Sequence, residues 1–298
     1  MAVRPLRALA GAGHDIALCV TRPDRRRGRG GAVTPSPVKA AALELGIAVS
    51  HSMNDVLEYG VELAVVVAYG RIIPAALLER VPMVNLHFSL LPRWRGAAPV
   101  EWAILAGDEE TGVCLMKVEE GLDTGPVYAR CVVPLSSDID LASLRDRLVR
   151  DGSALLVESL AGGVAGLPAP VPQEGVPTTA PKLTPQDFAL HWEQGAVELH
   201  RVVRLGRAWT TFRGRRLGIL QATPAEAGAG SGSGAGAGAG DVAGAAALPP
   251  GMLVGTAVIT GHGVLELEEV QPESRAAMAA DDWARGVRVS VGERLGSD

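Results

Sequence analysis

The stretch VNLHFSLLPRWRG, residues 84–96, decides how the first half of the chain is interpreted. Asn85 and His87 are two positions apart, so in a β-strand their side chains lie on one face and the apolar residues between and beside them lie on the other. The Leu-Leu-Pro that follows ends such a strand. In α/β proteins, polar residues at the end of a strand commonly form the active site. The stretch therefore predicts a strand that leads into a candidate site.

Short apolar runs alternate with helical segments over the first 160 residues. The runs at 16–20, 63–68 and 83–88 predict strands, and the segments at 3–13, 36–46 and 99–107 predict helices. The continuous valines at 65–67 are typical of a strand that is buried on both faces, as in a parallel sheet. This alternation predicts an α/β domain with a doubly wound, mainly parallel sheet.

The middle of the chain predicts a hairpin, a helix and a linker. Residues 113–119 and 126–133 predict two strands that flank the turn GLDTG, and 138–162 predicts one long helix or two short ones broken near Gly152. The segment 163–182 contains five prolines and predicts a stiff, extended linker.

A second domain is predicted after the linker. Thr184 and Pro185 are typical of a helix start. The runs at 208–214, 216–222, 253–260 and 263–270 predict short strands of a β-barrel or sandwich. The Gly/Ala-rich piece at 224–251 contains little that could be buried and predicts a disordered insertion.

Composition excludes several classes of protein. With 47% hydrophobic and 20% charged residues, the 298-residue chain is expected to fold rather than to be disordered. Its net charge of −5 means that a nucleic-acid partner has to be argued from a local basic patch. The three cysteines are scattered, which indicates a reduced, cytoplasmic protein without structural zinc. The longest apolar run, 63–69, is too short to span a membrane, so no membrane partner is expected.

Five segments together resemble the methionyl-tRNA formyltransferases, a family of folate-dependent formyltransferases. They are NLHFSLLPRWRGAAP (85–99), GDEETGVCLMKVEEGLDTGPV (107–127), RPDRRRGRGGAVTPSPVK (22–39), VVVAYGRIIP (65–74) and AWTTFRGRRL (208–217). The resemblance implies a Rossmann-like catalytic domain at 1–162, the linker at 163–182 and an OB-like β-barrel domain at 183–298. It implies a monomer that transfers the formyl group of 10-formyltetrahydrofolate to the α-amino group of initiator methionyl-tRNA, with no metal.

Asn85, His87 and Asp123 are the candidate catalytic residues. Formyl transfer needs an oxyanion stabiliser, a group that moves the proton of the attacking amine, and a proton for the departing folate nitrogen. The Asn85 amide can donate to the oxyanion, the His87 imidazole can move the proton, and Asp123 can orient the imidazole or act through a water. Taken singly, each has a structural alternative: a core histidine, a strand-end asparagine and a turn aspartate.

The resemblance also implies two groups of binding residues. The folate candidates are Ser89, Leu90, Leu91 and Pro92, with Tyr69, Gly70 and Arg71 as a second wall of the site. The tRNA candidates are Arg22, Arg25, Arg26, Arg27, Arg29, Arg93 and Arg95. Arginines of this kind can hold phosphates through bidentate hydrogen bonds, and Trp94 is a candidate surface for base stacking. The alternatives are an ordinary strand–helix turn, a solvated charged loop and a packed tryptophan.

Three departures from the family leave two other functions open. The family begins with a strand before the helix that 1–13 resembles, so we expect a central strand to be absent, through either a late start codon or a shortened chain. The segment 46–63 is short, and 204–207 lacks the family's Pro-rich turn. The alternatives are therefore a formyltransferase that acts on a small-molecule amine, or a truncated, non-catalytic tRNA-binding protein.

Overall fold

The computed structural model describes residues 1–27, 32–226 and 248–296, with the backbone alone at 25–27, 32 and 33. The chain divides into two compact units: unit 1 comprises 1–103, 109–135 and 143–182, and unit 2 comprises 104–108, 136–142 and 183–298. Residues 227–247 of the predicted insertion lie outside the described residues, but its first two residues, Pro224 and Ala225, continue a strand. The domain boundaries predicted from the sequence stay a prediction.

Unit 1 alternates helices and strands. Its helices, two of which extend into unit 2, are α1 (Val3–Gly11), α2 (Pro37–Glu44), α3 (Ala75–Leu78), α4 (Pro99–Ala106) and α5 (Leu141–Ser159). Its strands are β1 (Leu18–Val20), β2 (Arg25–Arg27), β3 (Ala32–Thr34), β4 (Ala48–Ser50), β5 (Ala64–Val66), β6 (Met83–His87), β7 (Arg95–Gly96), β8 (Glu110–Lys117), β9 (Val127–Pro134) and β10 (Thr179–Ala180). Short 3-10 turns lie at Asn54–Glu58 and Val164–Gly166.

The main sheet of unit 1 has the strand order β5–β6–β8–β9. β5 is parallel to β6, β6 is antiparallel to β8, and β8 forms an antiparallel hairpin with β9. The hairpin predicted around GLDTG is therefore confirmed. Val84 and Leu86 of β6 are almost completely buried, as the two-residue alternation predicts. The opposite face carries Asn85 and His87, which is how the sheet positions the candidate site.

Helix α5 is one continuous helix of 19 residues, so the alternative of two short helices broken near Gly152 is wrong. Gly152 lies where the helix approaches the main sheet. A Cβ atom at this position would lie 3.0 Å from Cγ1 of Val113 and 3.3 Å from Cδ2 of Leu86. A glycine within a helix costs up to about 1 kcal/mol in propensity, and here that cost is offset by the close packing of helix on sheet.

The strands β1 and β4 form a separate two-stranded parallel sheet. Strands β1 and β5 both line a cavity of about 1030 Å³. Because β5 borders this cavity, Val65 and Val66 are only half-buried. The prediction that the valine run is buried on both faces is therefore wrong for this structure.

Unit 2 is built on an antiparallel sheet with the order β11–β12–β15–β14–β13, and β16 pairs with β15. Its strands are β11 (Trp209–Phe212), β12 (Arg215–Ala225), β13 (Leu253–Val254), β14 (Ala257–Ile259), β15 (Val264–Pro272) and β16 (Met278–Ala279), and its helices are α6 (Ala196–Val203) and α7 (Ala280–Val287). One core cluster includes Leu199 of α6, Trp283 of α7 and Val258 and Leu265 of the sheet. The predicted two-domain fold, an α/β unit followed by a unit with a mostly antiparallel sheet, is confirmed. The expectation of a mainly parallel sheet is wrong for the main sheet of unit 1, where β6 pairs with β8, and β8 with β9, in antiparallel fashion.

Two local predictions in unit 2 are wrong. Thr184 and Pro185 begin only the short 3-10 turn Pro185–Phe188, although the Asp187 carboxylate accepts hydrogen bonds from both the amide and the hydroxyl of Thr184, as at the N-terminus of a helix. The next α-helix, α6, begins at Ala196. The single strand predicted at 253–260 is two strands, β13 and β14. No helix in the described part of the chain is long and apolar enough to cross a membrane.

We expect Gly152→Val to lower the free energy of unfolding by about 1–3 kcal/mol, because the added methyl groups collide with Val113 and Leu86. Urea denaturation followed by circular dichroism measures this change. The matched control is Gly11→Val in α1, where a Cβ would meet no atom within 4 Å. Equal stability of the two variants would contradict the packing described for α5.

Candidate active site

The carboxylate of Asp123 joins two strands and a loop of unit 1. Its Oδ1 atom accepts a hydrogen bond of 3.4 Å from the Asn85 amide, and its Oδ2 atom accepts one of 2.9 Å from the backbone N–H of Gly96. Oδ2 also lies 3.6 Å from Nδ1 of His87. The three predicted catalytic residues therefore lie together. The side chains of His87 and Asp123 are only 6% and 14% exposed, which shields their interaction from water.

The loop between β8 and β9 brings Asp123 to this position. The backbone of Asp123 has a φ of +51°, in the left-handed region, which aspartate and asparagine adopt more easily than most residues. The sequence GLDTG thus forms a turn and at the same time points a carboxylate at β6. The two interpretations that the sequence leaves open for this aspartate, a turn residue and a catalytic residue, are compatible.

Gly96 brings the backbone of β7 close to both Asp123 and β10. Its φ is +123°, and a Cβ at this position would lie 2.8 Å from the carbonyl oxygen of Ala180. A side chain would therefore push β7 away from β10 and move the N–H that donates a hydrogen bond to Asp123. Glycine at this position therefore allows the backbone N–H of residue 96 to reach the Asp123 carboxylate.

Both ring nitrogens of His87 face groups that accept protons. Nε2 lies 3.0 Å from the carbonyl oxygen of Trp94, which can only accept, so we assign the ring hydrogen to Nε2. Nδ1 then faces the Asp123 carboxylate and can take up a proton. The imidazole is thus oriented directly by the hydrogen bond that it donates to the Trp94 carbonyl. The Asp123 carboxylate lies at ion-pair distance from the other ring nitrogen. The sequence had suggested Asp123 alone for the orienting role.

Cys114 of β8 lies opposite His87 in the sheet. It is completely buried, and this burial raises the pKa of its thiol. A thiol is a nucleophile only as the thiolate, so Cys114 stays protonated and inert at neutral pH. The cysteine nearest to His87 in the sheet therefore has a structural role.

The predicted folate loop is held by its own side chains. The Ser89 hydroxyl is completely buried and donates a 2.6 Å hydrogen bond to the Arg93 carbonyl, and Leu91 packs with Met116 and Val127. These two side chains shape the loop from within, so a ligand could meet only their backbone groups. Leu90 and Pro92 remain partly exposed.

The second predicted folate wall, Tyr69 to Arg71, lies beside another group of residues. The Tyr69 carbonyl accepts a 3.1 Å hydrogen bond from Arg22, and Tyr69 and Arg22 both line the cavity between β1 and β5. This cavity does not include the catalytic residues. The structure therefore joins a predicted tRNA residue to a predicted folate residue.

The other predicted tRNA residues fall into two places. The Arg93 guanidinium lies 4.6 Å from the ring centre of Trp94, and Trp94 stacks on Trp102 with ring centres 6.0 Å apart. Arg95 binds the side-chain oxygen of Gln173 through Nε and Nη2. The backbone of Arg25, Arg26 and Arg27 forms β2, which pairs with β3, and Arg29 lies outside the described residues.

Sequence reasoning missed Trp102, Gln173 and Thr178. Trp102 extends the stack on Trp94, while Gln173 and Thr178 contact the loops that carry the site. Trp102 lies three residues after Pro99 in an apolar helix, where core packing is the ordinary expectation. Gln173 and Thr178 lie in the Pro-rich segment, whose composition indicates only an extended chain. No local pattern marks them, because their partners are distant in sequence.

No group of three or more His, Cys, Asp or Glu side chains with the geometry of a metal site occurs among the described residues.

Two formyl transferase families match the chain. The formyl transferase family matches residues 4–160, and the formyl transferase C-terminal domain family matches residues 182–288. The methionyl-tRNA formyltransferase of Heliobacterium modesticaldum is 41% identical, over 99% of this chain and 96% of the relative. That of Streptomyces coelicolor is also 41% identical, with the same coverage. This chain belongs to the methionyl-tRNA formyltransferase family. The resemblance drawn from its motifs is thereby confirmed.

A solved structure shares the fold of this formyltransferase. The N-formyltransferase from Helicobacter canadensis, solved in complex with folinic acid and dTDP-3-aminofucose, superposes with a TM-score of 0.64. It is 15% identical and covers 89% of this chain and 95% of its own. At this identity the likeness shows the fold alone, and the assignment to the family rests on the sequence relatives.

We expect Asp123→Asn to fold normally and to lose about 10²- to 10⁴-fold in kcat, the range for a residue that takes part in proton transfer. The amide has almost the shape of the carboxylate and tolerates the left-handed backbone, but it cannot stabilise a charged imidazole. Single-turnover kinetics of formyl transfer measure the loss. The control is Asp55→Asn in the 3-10 turn at Asn54–Glu58, and a kcat within twofold of the parent for Asp123→Asn would contradict the arrangement.

We expect Gly96→Ala to lower both kcat and the free energy of unfolding. The added methyl group would displace the β7–β10 pairing and also the N–H that donates to Asp123. Hydrogen exchange of the amide at position 96 reports the second effect directly. Faster exchange together with a lower kcat is the expected result. Unchanged exchange at this amide would show that the close approach of β7 to β10 is not required.

Proposed function

We propose that this protein transfers a formyl group from 10-formyltetrahydrofolate to the α-amino group of initiator methionyl-tRNA. The observation that carries the proposal is the convergence of Asn85, His87 and the Gly96 N–H on the Asp123 carboxylate. This group of residues contains a donor for an oxyanion and an acceptor for a proton, which are the functions that acyl transfer to an amine requires.

The attack of the amine forms a C–N bond to the formyl carbon and places negative charge on the formyl oxygen. The Asn85 amide has two N–H groups, and only one is used by Asp123. The second can donate to the developing oxyanion. Because the first is held by the carboxylate, the amide is oriented before the substrate arrives, and this pre-organisation is what lowers the barrier.

The attacking amine must lose a proton as it becomes an amide. Nδ1 of His87 is the ring nitrogen that remains able to accept it, because Nε2 donates to the Trp94 carbonyl. The resulting imidazolium lies 3.6 Å from Asp123, whose negative charge stabilises it. When the C–N bond to the folate nitrogen breaks, the imidazolium can give this proton to the folate nitrogen. The reaction balances without a covalent enzyme intermediate.

The binding residues belong to the same proposal. The backbone of Ser89 and Leu91, with the exposed parts of Leu90 and Pro92, would contact the folate beside the catalytic residues. The guanidinium of Arg93 lies over Trp94, which in turn stacks on Trp102. This group would meet the end of the tRNA, where a tryptophan suits stacking with an unpaired base. The hydrogen bond between Arg22 and the Tyr69 carbonyl supports the proposal that the tRNA contact of Arg22 and the folate contact of Tyr69 are adjacent. The roles of Arg25, Arg26, Arg27, Arg29 and Arg71 stay predictions.

Two further expectations from the sequence also stay predictions: a monomer and a cytoplasmic location. The first is tested by sedimentation equilibrium, and the second by fractionation of the cells that make the protein. Each can fail without affecting the proposed reaction.

We expect His87→Ala to lose about 10²- to 10⁴-fold in the rate of formyl-methionyl-tRNA formation and to keep the affinity for methionyl-tRNA, because proton transfer and not binding is removed. Acid-gel or mass-spectrometric analysis of the tRNA gives the rate, and filter binding gives the affinity. His191→Ala, at an exposed position of unit 2, is the matched control.

The same assay tests the proposed function as a whole. Formylation of methionyl-tRNA by the parent protein, with no comparable product from free amino sugars or small amines, is the expected result. Formylation of small amines only, or tRNA binding without any formyl transfer, would replace the proposal with one of the two alternatives that the sequence leaves open.

A further inference from the structure

The segment 171–180 lies against both loops that form the catalytic site. At one end, Val171 exchanges two backbone hydrogen bonds with Val127 at the start of β9. At the other end, Thr178 donates to the carbonyl of Pro92, and β10 pairs with β7. A segment whose composition suggests a linker is thus fixed to unit 1 on both sides of the site. We call this segment, residues 171–180, the strap.

The side chain of Gln173 contacts the Asp123 loop. Its Nε2 atom donates two hydrogen bonds of 2.8 Å, one to the carbonyl oxygen of Asp123 and one to that of Gly125. Its Oε1 atom accepts from Nε and Nη2 of Arg95, at 3.1 Å and 2.7 Å. The amide therefore uses both of its donors and its acceptor. Its orientation follows from its partners, because a flipped amide would face its donors to a cation.

Thr178 contacts the second loop through Trp94. The hydroxyl oxygen of Thr178 accepts a 2.8 Å hydrogen bond from the Trp94 N–H. The carbonyl of Trp94 in turn accepts from Nε2 of His87. Trp94 has a φ of +60°, a conformation that costs energy for a large side chain and needs support from its surroundings. The Thr178 hydroxyl thus helps to fix the backbone of Trp94, the residue whose carbonyl orients the imidazole.

We propose that Gln173 and Thr178 are positioning residues of the formyl-transfer site: Gln173 sets the position of Asp123, and Thr178 sets the orientation of His87. The inference rests on the proposed function, since it assigns to the strap the alignment of the groups that carry out that reaction. Neither residue touches the reacting atoms. Both act through distances on which the catalytic residues depend, and a misplacement of about 1 Å can cost about 10²-fold in rate.

Gln173 could instead serve only Arg95, a candidate tRNA contact, and the choice of substitution separates the two roles. Gln173→Glu keeps an acceptor for Arg95 and adds charge attraction to it, but it turns a carboxylate oxygen towards the two loop carbonyls. Gln173→Met, of similar size, loses all the hydrogen bonds. If Gln173 positions Asp123, both variants lose kcat by about 10- to 100-fold while KM for methionyl-tRNA changes little. If it serves Arg95 alone, Glu retains activity and Met raises KM.

Thr178 has its own pair of variants. Thr178→Val keeps the shape but removes the oxygen that accepts from Trp94, and Thr178→Ser restores that oxygen. We expect Val to lower kcat by about tenfold and Ser to return it to within about twofold of the parent. A structural role of the β-branched side chain would give the opposite order, with Ser impaired and Val normal.

The experiment combines these kinetics with nuclear magnetic resonance of the full chain, which does not depend on turnover. The probes are the Nε2–H signal of His87 and the backbone amide signal of Gly96, which report the bonds to Trp94 and to Asp123. We expect Thr178→Val to shift or broaden the first signal and both Gln173 variants to shift the second. The matched controls on the strap are Glu174→Met and Thr179→Val, whose side chains are exposed.

The outcomes are distinguishable. Lower kcat with shifted signals in the Gln173 and Thr178 variants, and neither effect in the controls, supports the proposal. Unchanged signals and kcat in both sets of variants would overturn it. If the parent protein forms no formyl-methionyl-tRNA, the proposed function fails, and the two signals still show whether the strap positions Asp123 and His87. If a Gln173 variant does not fold, the Thr178 pair decides the outcome.

Discussion

A carboxylate that is only 14% exposed needs partners, because removing a charge from water is costly unless hydrogen bonds and opposite charges replace the water. Asp123 obtains them from Asn85 on one strand, from the Gly96 N–H on another, and from the neighbouring His87. All three partners lie far from Asp123 in sequence, by 27 to 38 residues. The β6–β8–β9 sheet, the left-handed turn at Asp123 and the close approach of β7 to β10 all serve to bring them within hydrogen-bonding or ion-pair distance.

The same constraint explains the chemistry that we assign to the site. His87 is 5% exposed, and its ring lies 3.6 Å from the Asp123 carboxylate. The Asn85 amide is tied to the same carboxylate, which orients its remaining N–H before any substrate binds. One buried anion can thus stabilise the charged state of the base and pre-organise the oxyanion donor. The carboxylate can do both because Oδ1 contacts Asn85, while Oδ2 contacts the Gly96 N–H and lies near His87.

Much of this arrangement could be predicted from the sequence, since it follows from local patterns. The two-residue alternation at 83–88 gives a strand with Asn85 and His87 on one face, and the motif GLDTG gives a turn with an aspartate. Asp123 could be brought to the other two only through the family resemblance, because no local pattern fixes where a hairpin loop folds back. The assignment of the orienting role to Asp123 alone overlooked a backbone group: the Trp94 carbonyl has no signature in the sequence.

What the sequence could not show depends on neighbours in space. The valines at 65–67 favour a strand that is buried on both faces, but β5 borders a cavity, so Val65 and Val66 stay half-buried. Gly152 resembles a helix break, and only its distance to Val113 reveals a packing contact. Gln173 and Thr178 lie among prolines that predict an extended chain and give no information about its partners. In each case the deciding group lies on another element.

A double-mutant cycle between His87 and Asp123 tests most directly the claim that the site acts as one unit around the carboxylate. The rate of formyl transfer is measured for the parent, His87→Asn, Asp123→Asn and the double variant. If the carboxylate acts by stabilising the charged imidazole, the loss in the double variant is clearly smaller than the product of the two single losses, because Asp123→Asn then removes only the contacts with Asn85 and Gly96. Two losses in kcat that simply multiply would show that the residues act independently and would contradict this account.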